Sequence, residues 1–263
     1  MNTFAQRCYK KWYQTEVKTA LAKQTAPAIV TLDDIKKLPV PVQKYLIFTG
    51  VIGKPKVENV RMAWSGEFKT DPKKPFARFK AKQHNFFNNP KRMFYMTLKM
   101  KGIPMQGFHL YKDQQAMMRI KLLSLFQVVN ATGEKMDQGE TVTVFNDLCL
   151  MAPSALIDAN VEWETIDSLT VKAKYTIGKN SITATLFFNA EGALINFIST
   201  DRYYCSDGKT YYSYPWSTPV KDYKEINGRK VPSYGETIWD TPEGKFCYGK
   251  FFLLEIEYNE ASL

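Results

Sequence analysis

The sequence predicts a mainly β (α+β) fold: a large curved antiparallel sheet, or a partly open barrel, wrapped around a helix, with further helices at the N-terminus. Three observations predict it. Apolar and polar residues alternate with period two from Val57 to Leu125 and again from Leu169 to Tyr258, as in strands with one dry and one wet face. Short turn signals separate these runs, which joins neighbouring strands antiparallel. Between the two blocks lies one good helical stretch, Glu140–Asp158, in which Val144 or Phe145, Leu148, Met151 or Ala152, and Ala155 or Leu156 recur every three to four residues.

Residues 3–23 read as a basic amphipathic helix. Phe4, Cys8, Tyr9, Trp12, Tyr13, Val17, Ala20 and Leu21 fall on one side; Arg7, Lys10, Lys11, Gln14 and Lys18 fall on the other. Such a helix either docks on its own domain or lies on an anionic membrane surface. Thr31 caps a short helix with Asp33 and Asp34 in its first turn. Pro39 ends it, Pro41 restarts another, and Gly50 supplies the left-handed cap.

The alternation then begins. Val60, Met62 and Trp64 share one face. Arg78, Lys80 and Lys82 alternate with Phe79 and Ala81, and Phe94, Met96, Leu98 and Met100 alternate with Tyr95, Thr97, Lys99 and Lys101. Gly102 to Pro104 and Asp113 to Gln115 turn the chain. In the helix that follows, Pro153 lacks the donor N–H and must break or restart it. Apolar residues beyond one stripe, Leu150 and Ile157, suit a helix covered on more than one side, although a helix on one face of a sheet fits the pattern too. Beyond it, Gly178–Asn180, Asn189–Gly192, Asn227-Gly228 and Asp240–Gly244 are hairpin turns. About ten strands is too many for a flat sheet, so it should curl or close.

At 44% hydrophobic residues the chain buries a core with ease. No linker or repeat divides it, so a helical segment at 1–56 is expected to pack on a single β-rich domain at 57–263. The net charge of +10 is uneven: residues 1–139 carry +16 and residues 140–263 carry −6. This implies either a basic surface for an anionic partner or two halves that neutralise each other in the fold. The four cysteines (8, 149, 205, 247) show no metal-ligand spacing. Cys149 reads as a small core residue, and Cys205 and Cys247 pair only if their strands are neighbours. No signal peptide or membrane-length apolar span is visible, so a cytoplasmic location is expected, with weak peripheral contact to anionic membrane surfaces as a second expectation.

No nucleophile elbow, phosphate loop, dinucleotide fingerprint or zinc motif is present. No catalytic residue, cofactor or metal is therefore expected, and His84 and His109 read as surface or edge residues. The basic, aromatic segment Phe76–Phe87 has the composition of a nucleic-acid platform. Phe79 and Ala81 are better read as the dry face of a strand, and nucleic acid is not the expected partner.

Tyr and Trp crowd the C-terminal region, from Tyr203 to Tyr248. These residues suit the lip of an apolar cavity, having an apolar body and a polar tip; an aromatic-rich core would look the same. The methionines of Phe94–Met100, with Met105, Met117 and Met118, add an adaptable apolar surface. The expected ligand-binding residues are Leu148 on the helix, Trp216, Tyr223 and Trp239 at the mouth, and Arg202 with Glu236 to orient a head group.

Leu38-Pro-Val-Pro-Val-Gln-Lys-Tyr-Leu46, Thr49-Gly-Val-Ile-Gly53, Trp64-Ser-Gly-Glu-Phe68, Pro215-Trp216 and Val231-Pro232 through Glu236-Thr-Ile-Trp239 resemble an uncharacterised bacterial protein family of unknown function. The likeness runs from about residue 12 to residue 258 and supplies no catalytic residue. More loosely, the strand-rich pattern with an enclosed helix is similar to lipoprotein carriers of the LolA/LolB kind, in which a curved sheet holds acyl chains under a helical lid. The resemblance implies a non-enzymatic protein binding an apolar or amphiphilic, lipid-like small molecule between sheet and helix. The alternatives are an enzyme acting on such a substrate through Asp201, Glu236 or Asp240, and a nucleic-acid or protein interaction module.

Overall fold

Period-two alternation builds one continuous antiparallel sheet of fourteen strands in the computed structural model, which describes residues 8–22, 27–205 and 210–262. The first meander runs β1 (Asn59–Phe68), β2 (Ala77–Phe86), β3 (Lys91–Met100), β4 (Ile103–Lys112), β5 (Gln115–Leu122) and β6 (Phe126–Ala131). The second comprises β7 (Val161–Thr165), β8 (Thr170–Ile177), β9 (Asn180–Phe188) and β10 (Leu194–Ser199). β11 (Trp216–Ser217), β12 (Val220–Ile226), β13 (Arg229–Thr241) and β14 (Gly244–Tyr258) complete it. β14 pairs with β1, so the order is 6-5-4-3-2-1-14-13-11-10-9-8-7, with β12 added beside β13. The sheet curls and stays open, with β6 and β7 as its edges. The count exceeds the ten expected because the Leu123-Ser124 turn (φ 52° and 61°) splits off β6, and the short strands β7 and β11 add two more.

The helices are α1 (Tyr9–Leu21), α2 (Leu32–Ile35), α3 (Val40–Phe48) and α4 (Glu134–Met151). α4 leaves edge β6 and leads into edge β7, crossing the concave interior between them. It begins six residues before the predicted Glu140, on the left-handed Gly133 (φ 104°). Pro153 breaks it, and the chain continues as a single 3₁₀ turn, Pro153–Ile157. Almost every α4 side chain from Gly139 onward is buried, which matches a helix covered on several sides. Gln114 at the β4–β5 turn accepts from Lys179 N (3.0 Å) and its carbonyl accepts from Asn180 Nδ2 (3.0 Å). The hairpin tips of the two halves therefore meet across the interior.

α1 lies on the opposite, convex face. Tyr9, Trp12, Tyr13, Val17, Ala20 and Leu21 bury against Phe86, Met93 and Phe108, with the Trp12 and Phe108 rings 5.2 Å apart. The sheet thus takes up the apolar face of this helix from Tyr9 to Leu21. Phe4, Arg7 and the ends of the predicted 3–23 helix lie outside the described residues. Thr31 and Asp34 form a reciprocal capping box at α2. α3 packs under the far end of α4, where Tyr45 OH donates to Cys149 O (2.8 Å).

The charge asymmetry is partly resolved inside the fold. Lys56 meets Asp158 (2.5 Å), Arg61 meets Glu255 (3.2 Å) and Glu260 (2.7 Å), and Arg92 meets Glu140 and Asp147. Each pair joins the basic half to the acidic half.

Candidate functional site

The concave face of β2–β4 starts dry and ends polar. Phe79 and Ala81 on β2 give way to Gln83 and Asn85; on β3 the register that buries Phe94 and Leu98 also buries Arg92. β4 adds His109 and Tyr111 on the same face. α4 answers with Glu140 and Asp147, two turns apart and so on one side of the helix. Arg92 Nε donates to Asp147 Oδ2 (2.7 Å) and Arg92 Nη1 to Glu140 Oε2 (3.2 Å). Gln83 Nε2 (2.6 Å) and Asn85 Nδ2 (3.0 Å) donate to the same Asp147 oxygen, and Trp64 Nε1 donates to Gln83 Oε1 (3.1 Å).

The other side of the helix is held from the far half of the sheet. Arg202, just beyond β10, has Nη1 3.6 Å from Glu140 Oε1 and donates to Gly139 O (3.2 Å) and to Thr143 Oγ1. Its guanidinium lies over the Trp216 ring at 4.7 Å. Asn146 Nδ2 donates to Thr218 Oγ1 (2.6 Å), and Tyr111 OH pairs with Thr141 Oγ1 (3.0 Å). A polar network therefore runs from β1 through α4 to β11 inside the sheet.

Burial alone would push the Glu140 carboxyl up. The neighbouring Arg92, His109 (Nδ1 3.8 Å away) and Arg202 outweigh it and hold that carboxyl well below the usual range. Burial likewise opposes the charge on Arg92, and Asp147 with Glu140 overcomes it, so its pKa is raised. Both partners stay ionised in the interior.

A family model matches residues 28–251. The chain belongs to DUF6544, a family of unknown function. The motif likeness read from the sequence is thereby met. No curated protein matches the sequence. Among solved structures, the chain is similar to a DUF1329 family protein from Desulfovibrio piger (10% identity, 89% of this chain and 94% of that one, TM-score 0.46). It is also similar to a LolA superfamily protein from Nitrosomonas europaea (9% identity, 82% and 93%, TM-score 0.44).

In this DUF6544 chain the residues expected to bind ligand fall into four places. Arg202, Trp216 and Trp239 come together: Trp216 and Trp239 are cross-strand partners, and Trp216 Nε1 donates to Tyr248 OH (3.0 Å). Leu148 is 2% exposed on α4. Tyr223 stands near the α3 end, donating to Leu194 O (2.8 Å) with its ring against Phe48 at 5.2 Å. Glu236 faces the convex side, where it accepts from Tyr234 OH (2.6 Å) in register with Lys250. Arg202 and Glu236 therefore do not face a common ligand.

Nor do the proposed acid–base groups converge, since Asp201 accepts from Thr183 N (2.6 Å) and Asp240 is exposed opposite Lys245. His84, read as a surface residue, is wholly buried, stacked 4.9 Å from Phe86 with Nε2 3.2 Å from Asn59 Oδ1. No disulfide joins Cys8, Cys149, Cys205 or Cys247 to another described cysteine, and no group of metal-ligating side chains occurs among the described residues.

Sequence reasoning passed over Arg92, Gln83, His109, Glu140 and Asp147. The signal was present: Arg92 sits in the dry register of its own strand, two residues before Phe94. Two grooves open elsewhere. One of about 660 Å³ lies over β1–β4 and involves Arg78, Lys80, Lys99 and Phe252; another of about 470 Å³ flanks the β4–β5 hairpin and the start of α4. No helix among the described residues is long and apolar enough to cross a membrane.

Proposed function

We propose that the protein is a non-enzymatic binding protein that holds an apolar or amphiphilic, lipid-like ligand between the curved sheet and α4. In this reading an acidic head group is taken by Arg92 and Arg202. The observation that carries it is the pair of arginines converging on Glu140 in the concave interior, one from each half of the sheet. A buried ion cluster is a poor way to stabilise a core, because apolar replacements of similar volume do as well or better. An arginine cluster inside an otherwise apolar trough is better matched to an anion, and a helix carboxylate holds that place in the closed form.

The trough that α4 fills with Val142, Phe145 and Leu148 would be covered instead by an acyl chain once α4 withdraws. Each methylene so buried contributes about 0.8 kcal/mol, enough for a long chain to replace the helix contacts. Trp216 and Trp239 form the aromatic wall beside Arg202. Gly133 before α4 and the Ala152-Pro153 break after it mark where the helix would hinge.

The test is binding of a fluorescent fatty acid and of its methyl ester. Glu140→Gln should bind the free acid about tenfold more tightly than the parent chain, because it frees an arginine contact. Arg202→Gln should bind it more weakly, and the ester should respond to neither change. Failure of both the parent chain and Glu140→Gln to bind the acid, with the fold intact by circular dichroism, overturns the reading.

A further inference from the structure

The tips of two neighbouring hairpins expose large apolar side chains where turns ordinarily carry small polar ones. Ile103 follows the β3–β4 turn and is 45% exposed; Leu123, Leu125 and Phe126 make the β5–β6 turn and are 50%, 72% and 64% exposed. The tips are tied together: Leu123 N donates to Pro104 O (2.8 Å) and Gln106 Nε2 to Ser124 Oγ (2.9 Å). Leu123 and Ser124 adopt φ 52° and 61°, left-handed values that favour Asn and Gly. The β12–β13 turn of this chain uses Asn227-Gly228 for the same geometry. A leucine in that conformation costs folding free energy through strain, and its side chain gains little burial in return.

The charge around this patch has one sign. Segments 97–106 and 119–128 contain Lys99, Lys101, Arg119 and Lys121 and no acidic residue. Lys99 and Lys101 are exposed at the tip. Beside them the groove of about 660 Å³ is rimmed by Arg78, Lys80 and Lys99; its one carboxylate, Glu67, stands 3.9 Å from Lys250 Nζ. Pro104 and Gln106, which hold the β5–β6 tip, line the same groove.

We infer that this corner of the sheet is a docking surface for an anionic lipid bilayer. Ile103, Leu123, Leu125 and Phe126 enter the interface, and Lys99 and Lys101 stay level with the phosphates. The basic groove seats a head group. An apolar tip ringed by lysines is the pairing an interface of this kind selects, since both the hydrocarbon boundary and the negative surface potential act on it. The basic groove lies on the convex side and the apolar tips at the end of the β3–β6 hairpins, away from Arg92, Arg202 and Glu140, so the proposal stands or falls without the ligand reading.

The experiment is cosedimentation of the full chain with phosphatidylcholine vesicles, with and without phosphatidylglycerol. Binding is expected only to the anionic vesicles and should weaken sharply from low to physiological salt. The double variant Leu125→Asp/Phe126→Asp should bind roughly tenfold or more weakly, and Lys99→Gln/Lys101→Gln about 25-fold more weakly, at about fivefold per lysine. Ile166→Asp, which changes an apolar residue 53% exposed at another turn, should bind as the parent does. Equal sedimentation of parent and tip variants overturns the proposal. So does a parent chain that ignores vesicles but self-associates through these tips, seen in ultracentrifugation as a dimer that the Asp variant dissolves.

Discussion

Strands β2–β4 carry basic side chains on both faces, and the two faces treat them in opposite ways. On the concave face Arg92 is buried and meets two carboxylates of α4, an arrangement further braced by Gln83 and Asn85 on Asp147. On the convex face Arg78, Lys80, Lys82 and Lys99 stand in solvent. Moving a guanidinium out of water costs several kcal/mol unless counter-charges and acceptors are already in position. The inner face meets that condition only because another element, 48 to 55 residues later in the chain, delivers the acids. The outer face meets no such condition and keeps its charges available for a partner.

The sharpest way to break this contrast is to remove the inner cation. Arg92→Ala leaves Glu140 and Asp147 short of their counter-charge in the interior and should cost about 3–5 kcal/mol in denaturant unfolding. Replacing the four charged members together by apolar residues (Arg92→Met, Arg202→Met, Glu140→Leu, Asp147→Leu) should recover part of that loss, with Gln83 and Asn85 left without their shared acceptor. If the quadruple variant is no better than Arg92→Ala, the cluster is a stability device after all and its functional reading weakens.

Acid tests the same contrast from the other direction. Burial, with Arg61 nearby, lowers His84 from 6.5 to about 4, so the folded chain holds it neutral while the unfolded chain protonates it. Its contribution is fully present above pH 6.5 and is lost as the pH falls from 6.5 towards 4, by about 3 kcal/mol in all. His84→Phe should flatten that limb of a stability–pH curve. Glu140, held below the ordinary carboxylate range, adds a separate loss at still lower pH, which Glu140→Gln should remove.

The smallest effect belongs to the outer face. Lys80→Gln or Lys82→Gln should change unfolding free energy by no more than about 0.5 kcal/mol, whatever each does to vesicle binding. A larger change would mean that these lysines have partners within the fold.

Much of the architecture was legible because it depends on local periodicity. The alternation at Val60, Met62 and Trp64, the Thr31 cap, the Pro153 break and the Asn227-Gly228 turn each act within a few residues. Those features appear where the pattern places them. The first turn of α4, Glu134 to Gly139, was not legible: its residues are polar, and its start rests on a backbone angle at Gly133 that no side-chain pattern announces. The short turn at Leu123-Ser124 was missed for a related reason, since Leu and Ser are not residues that predict left-handed geometry.

The candidate site divides in the same way. Arg202 and Trp216 could be named as a polar group and an aromatic wall, and they do meet. Glu236 and Tyr223 were named on the same grounds and stand elsewhere: Glu236 lies three residues from Trp239 on β13 and so takes the opposite face, and Tyr223 lies on β12. By itself the sequence determined the class of fold, the faces of most strands and the family. Only the tertiary structure decided that β14 closes onto β1, that α4 passes through the interior, and that Arg92, Arg202, Glu140 and Asp147 become neighbours. Local energies act over a few residues and are written in the chain; the partners of a buried charge lie 48 to 62 positions away, and only packing brings them together.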